Sequence, residues 1–157
     1  NSELLEIPIY TERFVAYVSP NEHIYQHEVL DTSALPIENV WVLREAYCPN
    51  HGIFPFCQSN SGKRATYEAG SIETLVKIVD ENGGYTIIPE LHVPLLNNDQ
   101  QRNIRHLHNP KPTREIAFVI RRDYARERLL NILTDAIKTV IPEEMIYERH
   151  KKFKIKL

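Results

Sequence analysis

Residues 71–89 read SIETLVKIVDENGGYTIIP, and this stretch decides the fold class. Ser71 can accept hydrogen bonds from the first free amides of a helix, and Ile72, Leu75, Val76 and Val79 recur on one face at three- and four-residue spacing. Gly83 and Gly84 stop the helix after Asn82, and Tyr85 to Ile88 is a β-prone run ended by Pro89. A capped helix passing through a glycine turn into a strand is half of the repeating strand–helix unit of α/β proteins.

Upstream, residues 13–18 (RFVAYV) read as a strand stopped by Ser19-Pro20-Asn21, and residues 4–10 (LLEIPIY) as an apolar strand or its approach. Residues 40–43 (VWVL) are a short buried strand, and the segment between 18 and 40 reads mostly as loop. Downstream, Leu91 to Leu96 is a second short helix despite Pro94, and Asn97 to Arg102 is a polar loop. A strand is expected over 104–107, followed by a rigid break at Asn109-Pro110-Lys111-Pro112. Ile116 to Ile120 (IAFVI) has the unbroken apolarity of a strand covered on both faces. Tyr124 to Val140 is the longest helix, with Leu129, Leu133, Ala136, Ile137 and Val140 on its apolar face. The alternation predicts a mostly parallel sheet flanked by helices. After Pro142 the chain carries Arg149, His150, Lys151, Lys152, Lys154 and Lys156, which reads as a solvated tail.

The 157 residues are 42% hydrophobic and 25% charged, with a net charge of −2. That is ordinary globular composition and excludes a disordered or fibrous chain. No apolar run approaches the roughly 18 residues that span a bilayer, so no membrane partner is expected. Lys and Arg number 19 against 21 Asp and Glu, whereas nucleic-acid modules carry a basic excess on one face, so this segment by itself should bind DNA poorly. It begins at Asn1 without an initiator Met, and we expect a piece of a longer protein.

Only two cysteines occur, Cys48 and Cys57, too few for the disulfide framework of a secreted scaffold; a reducing, cytoplasmic setting is expected. Eight residues separate them, directly after the strand ending at Leu43, and ligands collect at such strand ends in open α/β sheets. Were the intervening segment helical, nine steps of about 1.5 Å would hold the Cα atoms roughly 13 Å apart. A disulfide needs about 7 Å or less, so bond formation would refold the segment and make the pair a switch. Three other readings stay open on spacing alone. The thiols can be two unrelated buried side chains. They can be zinc ligands together with His51, although no fourth ligand is evident and no metal is expected. Cys48 can also be a nucleophile with a spatially near His, although no nucleophile motif surrounds it.

The neighbourhood adds a resemblance. The Cys48–Cys57 gap, the stretch SIETLVKIVDENGGYTIIPELHVP some 14 residues beyond Cys57, and REIAFVIRR followed by a long helix together resemble the regulatory domain of the OxyR family. These are the peroxide sensors among LysR-type transcriptional regulators. The likeness covers about residues 4–140. It implies lobes shaped like a periplasmic binding protein, with a mixed, mostly parallel sheet. Residues 11–116 would be the second lobe carrying the redox cysteines, and 1–10 the approach from a missing first lobe. Residues 117–140 would be the C-terminal strand and helix of that first lobe, with 141–157 as tail and the winged helix-turn-helix absent.

The resemblance also implies a chemistry. Cys48 would attack hydrogen peroxide as a thiolate and become a sulfenic acid, and Cys57 would condense with it to a disulfide that external thiol reductants reverse. Such a protein is a sensor and not an enzyme in the turnover sense, and it needs no cofactor. Its expected partners are a second copy as homodimer, a tetramer at full length, and DNA and RNA polymerase only through the full-length protein. The thiolate needs positive charge or hydrogen-bond donors, for which Arg44, His51 and any helix amides after Pro49 are candidates. The enterobacterial members of the family have a His directly before the reactive Cys and an Arg two positions after it; here those positions hold Tyr47 and Asn50, whose hydroxyl and amide can donate instead. Gly70 and Ser71 stand where LysR-type domains place small effectors or ordered water, at a helix N-terminus with free amides. A passive cysteine pair with a small anion near Ser71 is the rival reading.

Overall fold

The computed structural model describes residues 3–43, 66–67, 71–124, 126–152 and 154–156. It divides into two units, Arg13–Pro112 and 1–12 with 113–157. Strand β1, Leu4–Val18, is shared covalently between them.

In the unit Arg13–Pro112, β1 is followed by β2 (Val29–Asp31), β3 (Val40–Leu43) and β4 (Thr66–Tyr67). Helix α1 (Ile72–Asn82), β5 (Tyr85–Pro89), the short helix α2 (Asn98–Gln101) and β6 (Ile104–His108) complete it. The strand order is β2-β6-β1-β5-β3-β4. β1 runs antiparallel to β5 and β6, whereas β3 is parallel to β4 and β5, and β2 is parallel to β6. The sheet is therefore mixed, because the glycine turn and the polar crossovers return β3, β5 and β6 in one direction while β1 enters from the other.

Alternation along β1 explains its unbroken apolarity. Phe14, Ala16 and Val18 pack into one core with Leu30, Val40, Val42, Ile87 and Leu107, while Val15 and Tyr17 pack into a second with Val76, Val79, Ile88 and Leu96. Helix α1 forms where the spacing predicts it. Ser71 caps it, Gly83 ends it, and Leu75, Val76 and Val79 are fully covered, each burial contributing about 1.5–3 kcal/mol. Ile72, the fourth residue of the predicted face, is only half-buried.

Several expectations change. The predicted loop between 18 and 40 contains β2, which pairs with β6, and two single 3-10 turns. The helix predicted from Leu91 is a 3-10 helix over Glu90–Leu95, the geometry that tolerates Pro94. The predicted polar loop 97–102 contains α2, closed by a reciprocal capping box between Asn97 and Gln100.

The other unit contains the first part of β1, β7 (Thr113–Arg121), α3 (Glu127–Lys138) and α4 (Glu148–Lys152). β7 pairs with β1. Ile7, Ile9, Leu130 and Ile155 form its core, with Phe118, Ile120, Tyr124 and Ile137 against it. Here three predictions are corrected. β7 is not covered on both faces, since no residue of it is fully buried and Val119 is 57% exposed. The helix predicted over 124–140 is shorter, and it buries Leu130 and Thr134 while Leu129, Leu133, Ala136 and Val140 face outward. The tail is not simply solvated: Met145, Ile146, His150 and Ile155 are buried, and Ile146 bridges Tyr10. Apolar residues at wide intervals among lysines carry too little local pattern to announce this packing.

Candidate functional site

The described frame of the cysteine segment is the carboxyl end of β3. Asn39, with φ at 58°, turns the chain into β3, and its carbonyl accepts from Tyr85 N at 2.9 Å. Trp41 Nε1 donates to the Gly83 carbonyl at 2.9 Å, and the Trp41 carbonyl accepts from Thr86 Oγ1 at 2.7 Å. Gly84 has φ at 82°, and a Cβ there would lie 2.3 Å from the Asn39 oxygen and 2.8 Å from Trp41 Nε1. Only glycine permits both that conformation and that approach. The Tyr85 hydroxyl donates to the Pro36 carbonyl. Burial, with smaller contributions from Glu38 and Glu22, pushes its pKa well above the usual phenol value. β3 is thus clamped to the α1–β5 turn by side chain and backbone together.

Past Leu43 the chain continues through residues 44–65 and returns at β4, where Thr66 lies beside Val42 and Tyr67 beside Leu43. Cys48, Cys57, Arg44, Tyr47, Asn50 and His51 fall in this connection and, with Gly70, lie outside the described residues. The connection leaves from the carboxyl end of β3 and enters the amino end of β4 beside the last two residues of β3, and strand carboxyl ends are where open α/β sheets gather their chemistry.

Ser71 is the one predicted site residue that is described. Its hydroxyl accepts from Thr74 N at 3.3 Å and lies 3.1 Å from Thr74 Oγ1. The Glu73 carboxylate is engaged by its own amide and by Ser71, which lowers its pKa. Ser71 therefore acts as a helix cap, and the amides of residues 73 and 74 are occupied from within the first turn.

At the other end of α1 is a polar cluster that sequence reasoning missed. Tyr17, fully buried, donates its hydroxyl to Asp80, whose second oxygen accepts from Gln100 Nε2 at 2.9 Å, while Asn103 Nδ2 donates to the Tyr17 hydroxyl at 3.2 Å. Burial and then the Asp80 bond push the Tyr17 pKa far upward, so it remains a neutral donor. The cluster ties β1, α1, α2 and the start of β6, and a tyrosine inside an apolar run was its only sequence signal. Among the described residues no group of three His, Cys, Asp or Glu side chains could hold a metal ion. No helix among them is long and apolar enough to cross a membrane.

The sequence profile of the LysR substrate binding domain matches residues 1–142. The hydrogen peroxide-inducible genes activator of Haemophilus influenzae is 27% identical over 146 residues, covering 87% of this chain and 47% of that protein. The probable hydrogen peroxide-inducible genes activator of Streptomyces viridosporus is 29% identical over 143 residues, covering 86% of this chain and 46% of that protein. The chain thus spans about half the length of these curated relatives. The crystal structure of OxyR from Porphyromonas gingivalis superposes with a TM-score of 0.81 at 31% identity, covering 92% of this chain and 67% of that one.

Proposed function

Because the chain belongs to the LysR substrate binding domain family, with its periplasmic-binding-protein-like α/β fold, we propose that it is the redox-sensing part of a peroxide-responsive LysR-type transcription regulator. The observation that carries this reading is the Cys48–Cys57 pair on a connection whose two ends meet at the carboxyl end of clamped β3. The OxyR relatives support it.

In this reading the Cys48 thiolate attacks one oxygen of hydrogen peroxide. The O–O bond breaks, hydroxide leaves and takes up a proton, and Cys48 becomes a sulfenic acid. The Cys57 thiolate then attacks the Cys48 sulfur; the S–S bond forms, and the sulfenic oxygen leaves as water. Two electrons have passed to peroxide, and an external thiol reductant returns them, so the domain signals and does not turn over. Tyr47, Asn50 and His51 are the donors assigned to the thiolate. Gly70 and Ser71 border the site, with Ser71 acting through the helix it caps. Residues 11–116 correspond to the second regulatory lobe, 1–10 and 117–140 to parts of the first, and 141–157 to the tail that packs on it. The full-length protein would act in the cytoplasm as a homodimer or tetramer, and would reach DNA and RNA polymerase through parts outside this chain.

The test is thiol counting before and after one equivalent of hydrogen peroxide. Two thiols should become none, and dithiothreitol should restore both. Two thiols persisting through the treatment would overturn the redox reading in favour of a passive pair. Cys57→Ser should leave a dimedone-reactive sulfenic acid at Cys48, while Cys48→Ser should leave none at Cys57.

A further inference from the structure

A cavity of about 300 Å³ lies within the unit formed by residues 1–12 and 113–157, where Leu5, Glu6 and Ile7 of β1 face the chain between Arg149 and Lys156. It shares no residue with the cysteine connection. Its tail side, from Arg149 onward, lies beyond the 1–142 stretch that the family profile matches, so the match does not account for it. Its size is that of a small-molecule site at the lower end of the usual range.

The tail is fixed in place on this border. Asn131 of α3 clasps the backbone of Ile155, its Oδ1 accepting from the amide at 2.8 Å and its Nδ2 donating to the carbonyl at 3.0 Å. Ile155 packs with Ile7 in the core, and half-buried Leu5 lies against them, which gives the cavity an aliphatic wall. The two neighbours of Ile155 are exposed: Lys154 and Lys156 make no hydrogen bond or ion pair among the described residues. Arg149 donates through Nη2 to the Pro8 carbonyl at 3.1 Å and through Nε to the ring of His150. The Pro8 carbonyl has no charge, and burial holds the His150 pKa below its usual 6.5, so no anion offsets the guanidinium. Glu6 is the single carboxylate on the border, and three cations against it leave two positive charges unmatched. An ammonium pair, a guanidinium and an aliphatic wall thus face one small space.

We infer that this cavity binds a small phosphomonoester, its phosphate held by Arg149, Lys154 and Lys156 and its organic group against Leu5, Ile7 and Ile155. A phosphomonoester carries a charge of about −1.5 to −2 at pH 7 and three strong acceptor oxygens, which answers the two unmatched charges. The guanidinium offers directed donors and the two ammonium groups act as point charges. A carboxylate of the same body would leave one cation unmet. Inorganic phosphate would leave the aliphatic wall in water. The site uses neither cysteine, so it would give the chain an input independent of peroxide.

The experiment is a titration of the 157-residue chain with phenyl phosphate at about pH 7.5, where the ester is a dianion, followed by 1H–15N NMR. Benzoate and inorganic phosphate serve as comparators. Phenyl phosphate should give saturable shifts confined to the segments around residues 5–7 and 149–156, and each comparator should bind at least tenfold more weakly. Lys154→Gln with Lys156→Gln should weaken phenyl phosphate at least tenfold; both side chains are exposed, so the core stays intact. Glu6→Gln, which removes the one opposing carboxylate, should tighten binding severalfold, a gain that a damaged fold does not mimic. Absence of saturable shifts at these segments would overturn the site. Benzoate or inorganic phosphate binding as tightly as phenyl phosphate, or an affinity indifferent to Lys154, Lys156 and Glu6, would overturn the ligand class. Duplex DNA saturating the same segments more tightly than phenyl phosphate would overturn it in favour of a nucleic-acid contact.

Discussion

Helices α1 and α3 carry the same kind of amphipathic pattern and meet different fates. In α1, Leu75, Val76 and Val79 are each at most 1% exposed. In α3, Leu130 is buried, but Leu129, Ile132 and Leu133 remain 41%, 55% and 44% exposed, and Val140 just beyond the helix is 75% exposed. An apolar stripe announces that a helix expects a partner; whether the partner is present is a separate matter. The unit Arg13–Pro112 supplies partners on both faces of its sheet. The other unit offers α3 one core, on Leu130. The chain covers 67% of the Porphyromonas gingivalis OxyR structure.

The most direct way to break this contrast is a pair of truncations. Leu75→Ala, in a site with no room to collapse, should cost about 2–5 kcal/mol. Leu133→Ala, on the open face of α3, should cost about 0.5 kcal/mol or less. Urea denaturation of each variant measures both. A Leu133→Ala cost above about 2 kcal/mol would mean that the face is covered in solution and that the two helices are equivalent.

Oxidation should act on one place only. Closing a loop of about ten residues removes unfolded-chain entropy worth roughly 2.7 kcal/mol in the loop-closure model, while disrupting strands that bury residues on both faces would cost far more. Gly52 and Pro55 are poor interior helix residues, so the segment between the cysteines should yield and the clamped strands should hold. Hydrogen exchange should change across 47–58 and stay constant across the buried, clamped strand 85–88. Equal changes in both would mean that oxidation loosens the whole protein.

These contrasts also mark what the sequence could carry. α1 was legible to the residue because its cap, its face and its glycine stop lie within a dozen positions. The cysteine pair, read from spacing and neighbourhood, lies outside the described residues, whereas Ser71 was legible as a cap by its place before the helix. What escaped were features made by partners far apart in the chain. Gly84 looked like a mere helix stop, and its contact with Asn39 and Trp41 exists only once β3 lies beside β5. Tyr17 and Asp80 are 63 positions apart, and their bond depends on the helix returning over β1. The stripe on α3 was read around Leu129 and Leu133, yet Leu130 is buried, because the covered side depends on which elements exist to cover it. One miss was local: Asn97 and Gln100 are a capping-box spacing inside what was read as loop.

Association is the next and smaller contrast. The outer face of α3 should bring copies of the chain together at high concentration, read as a mass above the monomer by light scattering. Ile132→Lys with Leu133→Lys should weaken that association tenfold or more, about 1.4 kcal/mol, and leave the unfolding of Arg13–Pro112 unchanged. A monomer at every concentration would show that the exposed face drives nothing.

The smallest expected effect separates the two units by pH. His150, on α4, is 4% exposed and lies with Nε2 2.8 Å from the Pro8 carbonyl of β1. Burial lowers its pKa below the usual 6.5, with further lowering from Arg149 and Lys138, against an opposing contribution from the Pro8 bond. Below pH 6.5 the unfolded chain therefore binds more protons at this position than the folded one, so stability falls as pH drops from about 7 toward the folded-state value. For one proton the slope is no steeper than about 1.4 kcal/mol per pH unit. Because Arg149 and His150 of α4 meet the Pro8 carbonyl and Ile155 just beyond α4 packs with Ile7 and Ile9, hydrogen exchange at residues 7–9 should accelerate between pH 7 and 5.5 more than the intrinsic rate explains. Exchange at residues 15–17 should follow the intrinsic rate alone. His150→Gln, which keeps a side-chain donor for Pro8 and cannot take up a proton, should remove the excess at residues 7–9. An excess that survives in His150→Gln would assign the pH response to another group and detach α4 from the stability of the N-terminal half of β1.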